Sequence, residues 1–172
     1  RGLAYGKKGD TDRAITDFNK AIRLDPEYAN AFATRGNAYA NKGDNDRAIA
    51  DFNEAIRLDP KSSLARSNRG VAYGNKGDYD RAIADYSEAI RLNPQYQWWA
   101  YRNRGYIFLY SGSLARAQAD FKQASDLDPN DAYSALWLDL AERRSGLTGR
   151  LKDAVSRLDM TKWPAPVVSL YL

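Results

Sequence analysis

Arg35–Pro60, with the sequence RGNAYANKGDNDRAIADFNEAIRLDP, contains the pattern from which the architecture of the chain can be inferred. The pattern recurs in the 172 residues with copies that begin at Arg1, Arg69 and Arg104, and each copy ends in an Asp-Pro or Asn-Pro pair. Successive copies start 34, 34 and 35 residues apart. Self-similarity at a fixed period of this size indicates stacked repeat units.

Each copy predicts two helices, called A and B, that are joined by a tight turn. In the second copy, helix A runs from Asn30 to Lys42 and ends at Gly43, which can adopt the positive φ of a C-terminal cap. Asp44 follows at once and is the predicted N-cap of helix B.

Small residues in each copy predict a close approach of helices A and B. Gly36 on helix A and Ala48 on helix B let the backbones approach, and Phe52 fills the remaining space. The equivalent sets are Gly70, Ala82 and Tyr86, and Gly105, Ala117 and Phe121. A single unit cannot bury this surface alone, so neighbouring units are expected to stack.

The recurring Gly36, Tyr39, Ala48, Phe52 and Pro60 resemble the signature of the tetratricopeptide repeat family. This resemblance implies an all-α fold, a right-handed α-α superhelix or solenoid of helix-turn-helix repeats with C-terminal capping helices. The implied units are residues 1–26 (partial), 27–60, 61–94 and 95–129, followed by a helical cap at 130–172. The first copy starts inside its own helix A, so we expect further sequence upstream.

The fourth copy and the cap depart from the pattern. One extra residue between Pro94 and Arg104 predicts a local irregularity, and Trp137 in place of the small glycine predicts a changed packing partner for its helix. Residues 151–158 predict a short amphipathic helix. The segments at 133–142 and 163–172 are similar to NlpI-like bacterial lipoproteins, which implies a bacterial periplasmic or envelope location slightly ahead of a cytoplasmic one.

Composition excludes several classes of chemistry. The absence of cysteine and histidine rules out a disulfide framework, a thiol nucleophile, Cys/His zinc sites and imidazole acid-base catalysis. With 26 basic against 22 acidic residues, the chain has no polycationic character, and nucleic acid is not predicted as a partner. No apolar run approaches the roughly 18 residues that cross a bilayer. We therefore predict no enzyme, cofactor, metal site or membrane span.

The carboxylates recur at the repeat spacing, which indicates a structural role. Four of them each lie four residues after an arginine: Asp17, Asp51, Asp85 and Asp120, after Arg13, Arg47, Arg81 and Arg116. This spacing predicts ion pairs within helix B.

A binding surface on the A helices remains as the candidate site. In the resembled family, these helices line a concave face that holds extended peptides or partner helices. The matching positions are Asn30, Ala33, Asn37 and Asn41, then Leu64, Ser67, Val71 and Asn75, then Trp99, Arg102, Tyr106 and Tyr110. From these we predict a peptide-binding groove of Asn30, Asn37, Asn41, Ser67, Asn75, Trp99, Arg102, Tyr106 and Tyr110.

Each part of this groove has an alternative interpretation. Asparagine amides both donate and accept hydrogen bonds and can hold a peptide main chain, but they are also tolerated on any wet helix face. The aromatic stripe has the composition of a binding hot spot, yet its rings can instead pack on the helix of Tyr133 and Trp137. Family members that grip a C-terminal carboxylate have two asparagines, matched by Asn37 and Asn68, and three cations, which are replaced here by Ala33, Trp99 and Asn103.

The sequence thus favours a non-catalytic scaffold that binds a protein or an extended peptide. Two alternatives stay open: a self-association module that forms a homodimer, and an envelope adaptor of the NlpI-like type.

Overall fold

The computed structural model describes residues 11–147, and these form eight α-helices and no strand. The helices are α1 Thr11–Leu24, α2 Ala29–Asn41, α3 Asn45–Leu58, α4 Ser63–Asn75, α5 Tyr79–Leu92, α6 Trp98–Tyr110, α7 Leu114–Leu127 and α8 Ala132–Arg144. The predicted helix at 151–158 and the segment at 163–172 lie outside the described residues.

The chain divides into two compact units, Arg1–Leu92 and Asn93–Leu172. In the first unit, α1 packs against α2, α2 against α3, α3 against α4 and α4 against α5, and α2 also contacts α4. In the second unit, α7 packs against both α6 and α8. Helices α2, α4 and α6 are A helices, and α3, α5 and α7 are the B helices that follow them.

Glycine ends the A helices as predicted. Gly43 and Gly77 have φ values of +79° and +78°, and Gly112 and Gly146 adopt the same conformation. The carboxylate of Asp44 accepts a hydrogen bond of 3.1 Å from the Arg47 backbone N–H, so the predicted cap of helix α3 is confirmed. The cap at Gly146 shows that α8 ends like a further A helix.

Helices A and B meet at the predicted small residues. A methyl group added to Gly36 would lie 2.8 Å from Cε1 of Phe52, and the equivalent distances at Gly70 and Gly105 are 2.9 Å. Phe52 and Ala48 are fully buried and form a core cluster with Ala72 of the next repeat. Glycine is needed here because a Cβ would collide with the ring that fills the gap.

The predicted pairing of Asp51, Asp85 and Asp120 with the arginines four residues earlier in helix B was wrong. Asp51, Asp85 and Asp120 pair with arginines of the preceding A helix, namely Arg35, Arg69 and Arg104, at 2.6, 2.6 and 2.8 Å. Arg47 and Arg81 pair instead with the N-cap residues Asp44 and Asp78. The A-helix arginines reach across the helix pair to nearly buried carboxylates, whereas Arg47 and Arg81 stay in solvent beside the caps.

The irregularity predicted for the fourth copy is confirmed. The linker Asn93–Gln97 is longer than its counterpart Asp59–Ser62 and contains a single 3-10 turn at Pro94–Tyr96 before α6 begins. Trp137 of α8 packs on Tyr106 of α6 and Phe121 of α7, with ring centroids 4.7 and 6.5 Å apart. The indole thus packs on rings of the two preceding helices.

Candidate functional site

Two asparagines on neighbouring A helices of the first unit are joined directly. Nδ2 of Asn68 on α4 donates a hydrogen bond of 2.8 Å to Oδ1 of Asn37 on α2. The bond fixes the orientation of both amides, because each carries one acceptor oxygen and one donor nitrogen. Among the described residues, the Asn37 NH₂ group and the Asn68 carbonyl oxygen make no hydrogen bond, so the pair presents one free donor and one free acceptor.

Further asparagines extend this surface along both helices. Asn30 and Asn41 are exposed and share a stripe of α2 with Asn37, at spacings of seven and four residues. Asn75 is exposed one heptad beyond Asn68 on α4, and its Nδ2 lies 3.4 Å from Oδ1 of Asn45. We call the surface formed by Asn30, Asn37, Asn41, Asn68 and Asn75 the amide face.

Aliphatic side chains lie on the same stripes. Leu64 of α4 is 56% exposed, and Val71 of α4 and Ala33 of α2 are partly exposed. The amide face therefore offers apolar patches beside its hydrogen-bonding groups.

Ser67 does not belong to the accessible surface. It was predicted to line the groove, but its side chain is fully buried, and its hydroxyl cannot reach a ligand. Helices α2, α3 and α5 of the same unit all contact α4, and they enclose a side chain this small. We leave Ser67 out of the site.

The charged side chains of α2 and α4 are all arginines, and each of them donates hydrogen bonds to other groups of the protein. Arg35 holds Asp51 and Arg69 holds Asp85, each through two hydrogen bonds of 2.6 to 2.7 Å. The hydrogen bonds from these arginines to the carboxylates raise the pKa of each guanidinium group above the usual value for arginine. Nη2 of Arg66 donates to the carbonyl oxygen of Pro60 at 3.1 Å.

The predicted aromatic stripe of the second unit is only partly available. The ring of Tyr106 packs edge-on against Trp137 and Phe121, with centroids 4.7 and 5.7 Å away. Burial raises the pKa of the Tyr106 hydroxyl. The alternative interpretation therefore holds for Tyr106, whereas Tyr110 is 77% exposed and Trp99 is partly exposed.

Arg102 is also held within the second unit. Its Nη1 donates to Oδ1 of Asp131 at 3.0 Å, and its guanidinium carbon lies 4.9 Å from the ring of Trp98. The sequence interpretation missed both partners. Asp131 immediately precedes α8 in the N-cap position, so the repeat pattern contains a signal that could have indicated this partner. The repeat spacing does not distinguish Trp98 from Trp99, so it could not indicate the contact with Trp98.

Sequence models of the tetratricopeptide repeat match residues 1–63, 33–97 and 100–131. The chain belongs to the tetratricopeptide repeat family. Repeats of this kind stack into solenoids that present extended binding surfaces. The family consists of generally non-catalytic protein-interaction scaffolds, and the predicted all-α solenoid class is confirmed.

Solved structures agree with this assignment. The crystal structure of MamA is 26% identical, with 91% of this chain and 89% of that chain covered and a TM-score of 0.77. PilF of Pseudomonas aeruginosa shares the fold at 22% identity, with 84% and 66% covered and a TM-score of 0.79. The first repeat domain of Spaghetti (RPAP3), bound to the HSP90 peptide SRMEEVD, is 26% identical, with 69% and 93% covered and a TM-score of 0.66.

No curated protein matches the chain in sequence, and the comparisons do not show the predicted NlpI-like similarity. Within residues 11–147, no helix is both long enough and apolar enough to span a membrane. The same residues contain no group of three acidic side chains placed to bind a metal ion.

Proposed function

We propose that this protein is a non-catalytic scaffold that binds an extended segment of another protein on its A helices. The observation that carries the proposal is the hydrogen bond between Asn37 and Asn68. It orients two amides on adjacent helices so that one donor and one acceptor face outward.

An extended peptide has the complementary groups. In a strand, the N–H and C=O of one residue point to the same side, as they do along the edge of a sheet. The Asn37 NH₂ group would donate to the carbonyl oxygen, and the Asn68 carbonyl oxygen would accept from the N–H. Each such bond contributes about 1 kcal/mol, so useful affinity requires further contacts along Asn30, Asn41 and Asn75.

The second unit supplies a separate contact surface of aromatic character. Trp99 and Tyr110 have accessible rings, which give large contact area at a low entropic cost. We assign direct contact with a partner to these two residues. Arg102 and Tyr106 then act as supports, because Asp131 and Trp137 already hold them in place.

The peptide-bound Spaghetti domain supports this class of function. Its ligand is acidic, and the first unit of the present chain carries Ala33 where acidic-tail binders of the family carry a cation. We therefore propose that the present chain binds peptides of a different composition.

The test is a selection from a random heptapeptide display library on the immobilised full-length protein. We expect the wild type to enrich a defined peptide set and Asn37→Ala/Asn68→Ala to lose it. Gln123→Ala, which removes an exposed amide from the B helix α7, is the matched control and keeps the set. Circular dichroism and light scattering check that all variants have equal helicity and mass.

A wild type that enriches no peptide contradicts the proposal. If the wild type is also a dimer and the double variant a monomer, the face serves self-association, the rival function.

A further inference from the structure

The charge distribution of α2 and α4 limits what the amide face can bind. Both helices together contain three charged residues, all of them arginines. The guanidinium groups of Arg35 and Arg69 are each neutralised by a carboxylate of the following B helix. Arg66 donates to the main-chain carbonyl of Pro60, and it stands two residues from both Leu64 and Asn68, which places it on the opposite side of α4 from the amide face.

The lysines that follow these helices are paired as well. Lys42 lies 2.5 Å from a carboxylate oxygen of Asp12, and Lys76 forms an ion pair with Asp46. A ligand on the amide face therefore meets amide groups and the side chains of Ala33, Leu64 and Val71, because helical periodicity places none of the three arginines on this stripe of α2 and α4.

From this distribution, and resting on the proposed function, we propose that the amide face binds an uncharged extended peptide through its main chain. A charged side chain laid on this face would lose its water shell and gain no counter-ion in return. Main-chain amides lose nothing comparable, because the Asn37 NH₂ group and the Asn68 carbonyl oxygen replace the hydrogen bonds to water.

Because the bound peptide is extended, the exclusion of charged side chains should apply to every second residue of the peptide. Side chains of a strand alternate between two faces, so every second residue of the peptide lies against α2 and α4. We expect Asp, Glu, Lys and Arg to be excluded at these positions of the peptide, and the exposed Leu64 and partly exposed Val71 to favour aliphatic side chains there. The intervening positions face solvent and tolerate charge.

A second consequence concerns salt. Salt screens the attraction between charges, but it does not screen hydrogen bonds between neutral amides. The dissociation constant of a selected peptide is expected to change less than about twofold between about 50 and about 500 mM NaCl. A clamp built from cations loses far more affinity over this range.

The library selection on the full-length protein tests the inference when the enriched sequences are read position by position. We expect the four charged residue types to fall several-fold below their starting frequency at alternate positions, and the peptide SRMEEVD, used as a probe, not to bind. Asn37→Asp is the informative variant: Asn68 can still donate to the new carboxylate, so the pair is kept, and the new charge should admit Lys or Arg at one of the excluded positions.

The outcomes separate the inference from the proposed function. A charged motif that the wild type enriches and Asn37→Ala/Asn68→Ala loses overturns the inference and leaves the scaffold function standing. Unchanged charge preference in a folded Asn37→Asp variant, or a dissociation constant that rises about tenfold with salt, also overturns it. Failure of the wild type to enrich any peptide removes the proposed function itself.

Discussion

Arg35 and Asp51 form a bidentate ion pair between helices A and B of one unit. Nε of Arg35 donates to Oδ2 at 2.7 Å, and Nη2 donates to Oδ1 at 2.6 Å. Nη1 donates at 2.6 Å to Oδ1 of Asn19 on the preceding helix. One guanidinium therefore connects α1, α2 and α3, and Arg69 repeats the arrangement with Asp85 and Asn53.

Removing the arginine of this pair should destabilise the fold strongly. Arg35→Ala leaves the nearly buried Asp51 carboxylate without its counter-charge, and we expect a loss of about 3 kcal/mol in the free energy of unfolding. Urea denaturation followed by circular dichroism measures it. Arg47→Ala, which breaks the solvent-exposed pair with Asp44, is the matched control and should have a much smaller effect.

A double substitution shows whether the stranded charge is the cause. Arg35→Leu/Asp51→Leu removes both charges and keeps apolar volume, and its stability should lie within about 1 kcal/mol of the wild type. Equal destabilisation of the double variant and Arg35→Ala would assign the effect to packing instead.

The close approach at Gly36 predicts opposite effects for two Gly→Ala substitutions. Gly36→Ala places a methyl group 2.8 Å from Cε1 of Phe52 and should cost about 1 to 3 kcal/mol of stability. Gly74→Ala fills open space within α4 and should stabilise by up to about 1 kcal/mol, because alanine has the higher helix propensity. Thermal unfolding measures both, and equal losses at the two sites would refute the packing account.

The helix pair could be predicted from sequence because it depends on local, repeated features. Glycines 36, 70 and 105 and the rings opposite them recur at a fixed spacing, and the caps at Gly43 and Asp44 are short-range signals. The partner of Asp51 could not be predicted, because both Arg47 in the same helix and Arg35 in the preceding one can reach it. The choice depends on which guanidinium enters the interior between the helices.

The candidate site was only partly predictable for a related reason. The stripe of Asn30, Asn37 and Asn41 follows from helical periodicity, and the bond from Asn68 depends on the stacking of α2 and α4. The burial of Ser67 and the packing of Tyr106 depend on side chains from other helices, such as Trp137. The repeat spacing does not encode the contacts of those side chains.

Stability should fall at acid pH partly through the two cap carboxylates. The Arg47 backbone N–H, followed by its side chain, lowers the pKa of Asp44, and the Arg81 side chain lowers that of Asp78. A carboxyl whose folded-state pKa is depressed stabilises the fold above its unfolded value of about 3.9 and loses this contribution as pH falls. The double variant Asp44→Asn/Asp78→Asn keeps both caps and removes the titration, because an asparagine side chain also caps a helix but carries no ionisable group.

Thermal midpoints of the wild type and this double variant, measured from about pH 6 to about pH 2, check the prediction. The variant's midpoint should fall less steeply below about pH 4. Parallel curves would show that the caps do not contribute to the acid response.

In the second unit, Tyr106 and Tyr110 of α6 should separate stability from binding. Tyr106→Ala removes a ring packed on Trp137 and Phe121 and should cost about 2 to 4 kcal/mol in stability. Tyr110→Ala removes an exposed ring and should change stability by less than about 0.5 kcal/mol. Once a partner is known, Tyr110→Ala should weaken its binding, and a large loss of stability in Tyr110→Ala would place this ring in the core.

If Asn37 and Asn68 hold a peptide main chain, as proposed, their side-chain amides must respond when a peptide binds. ¹H–¹⁵N NMR of the side-chain amide groups of the full-length protein, during titration with a library-selected peptide, measures this response, with assignments from Asn37→Ala and Asn68→Ala. We expect the Asn37 and Asn68 NH₂ resonances to shift and to saturate in line with the dissociation constant, while those of Gln123 stay in place. Saturable binding that leaves both asparagine resonances unmoved would contradict it.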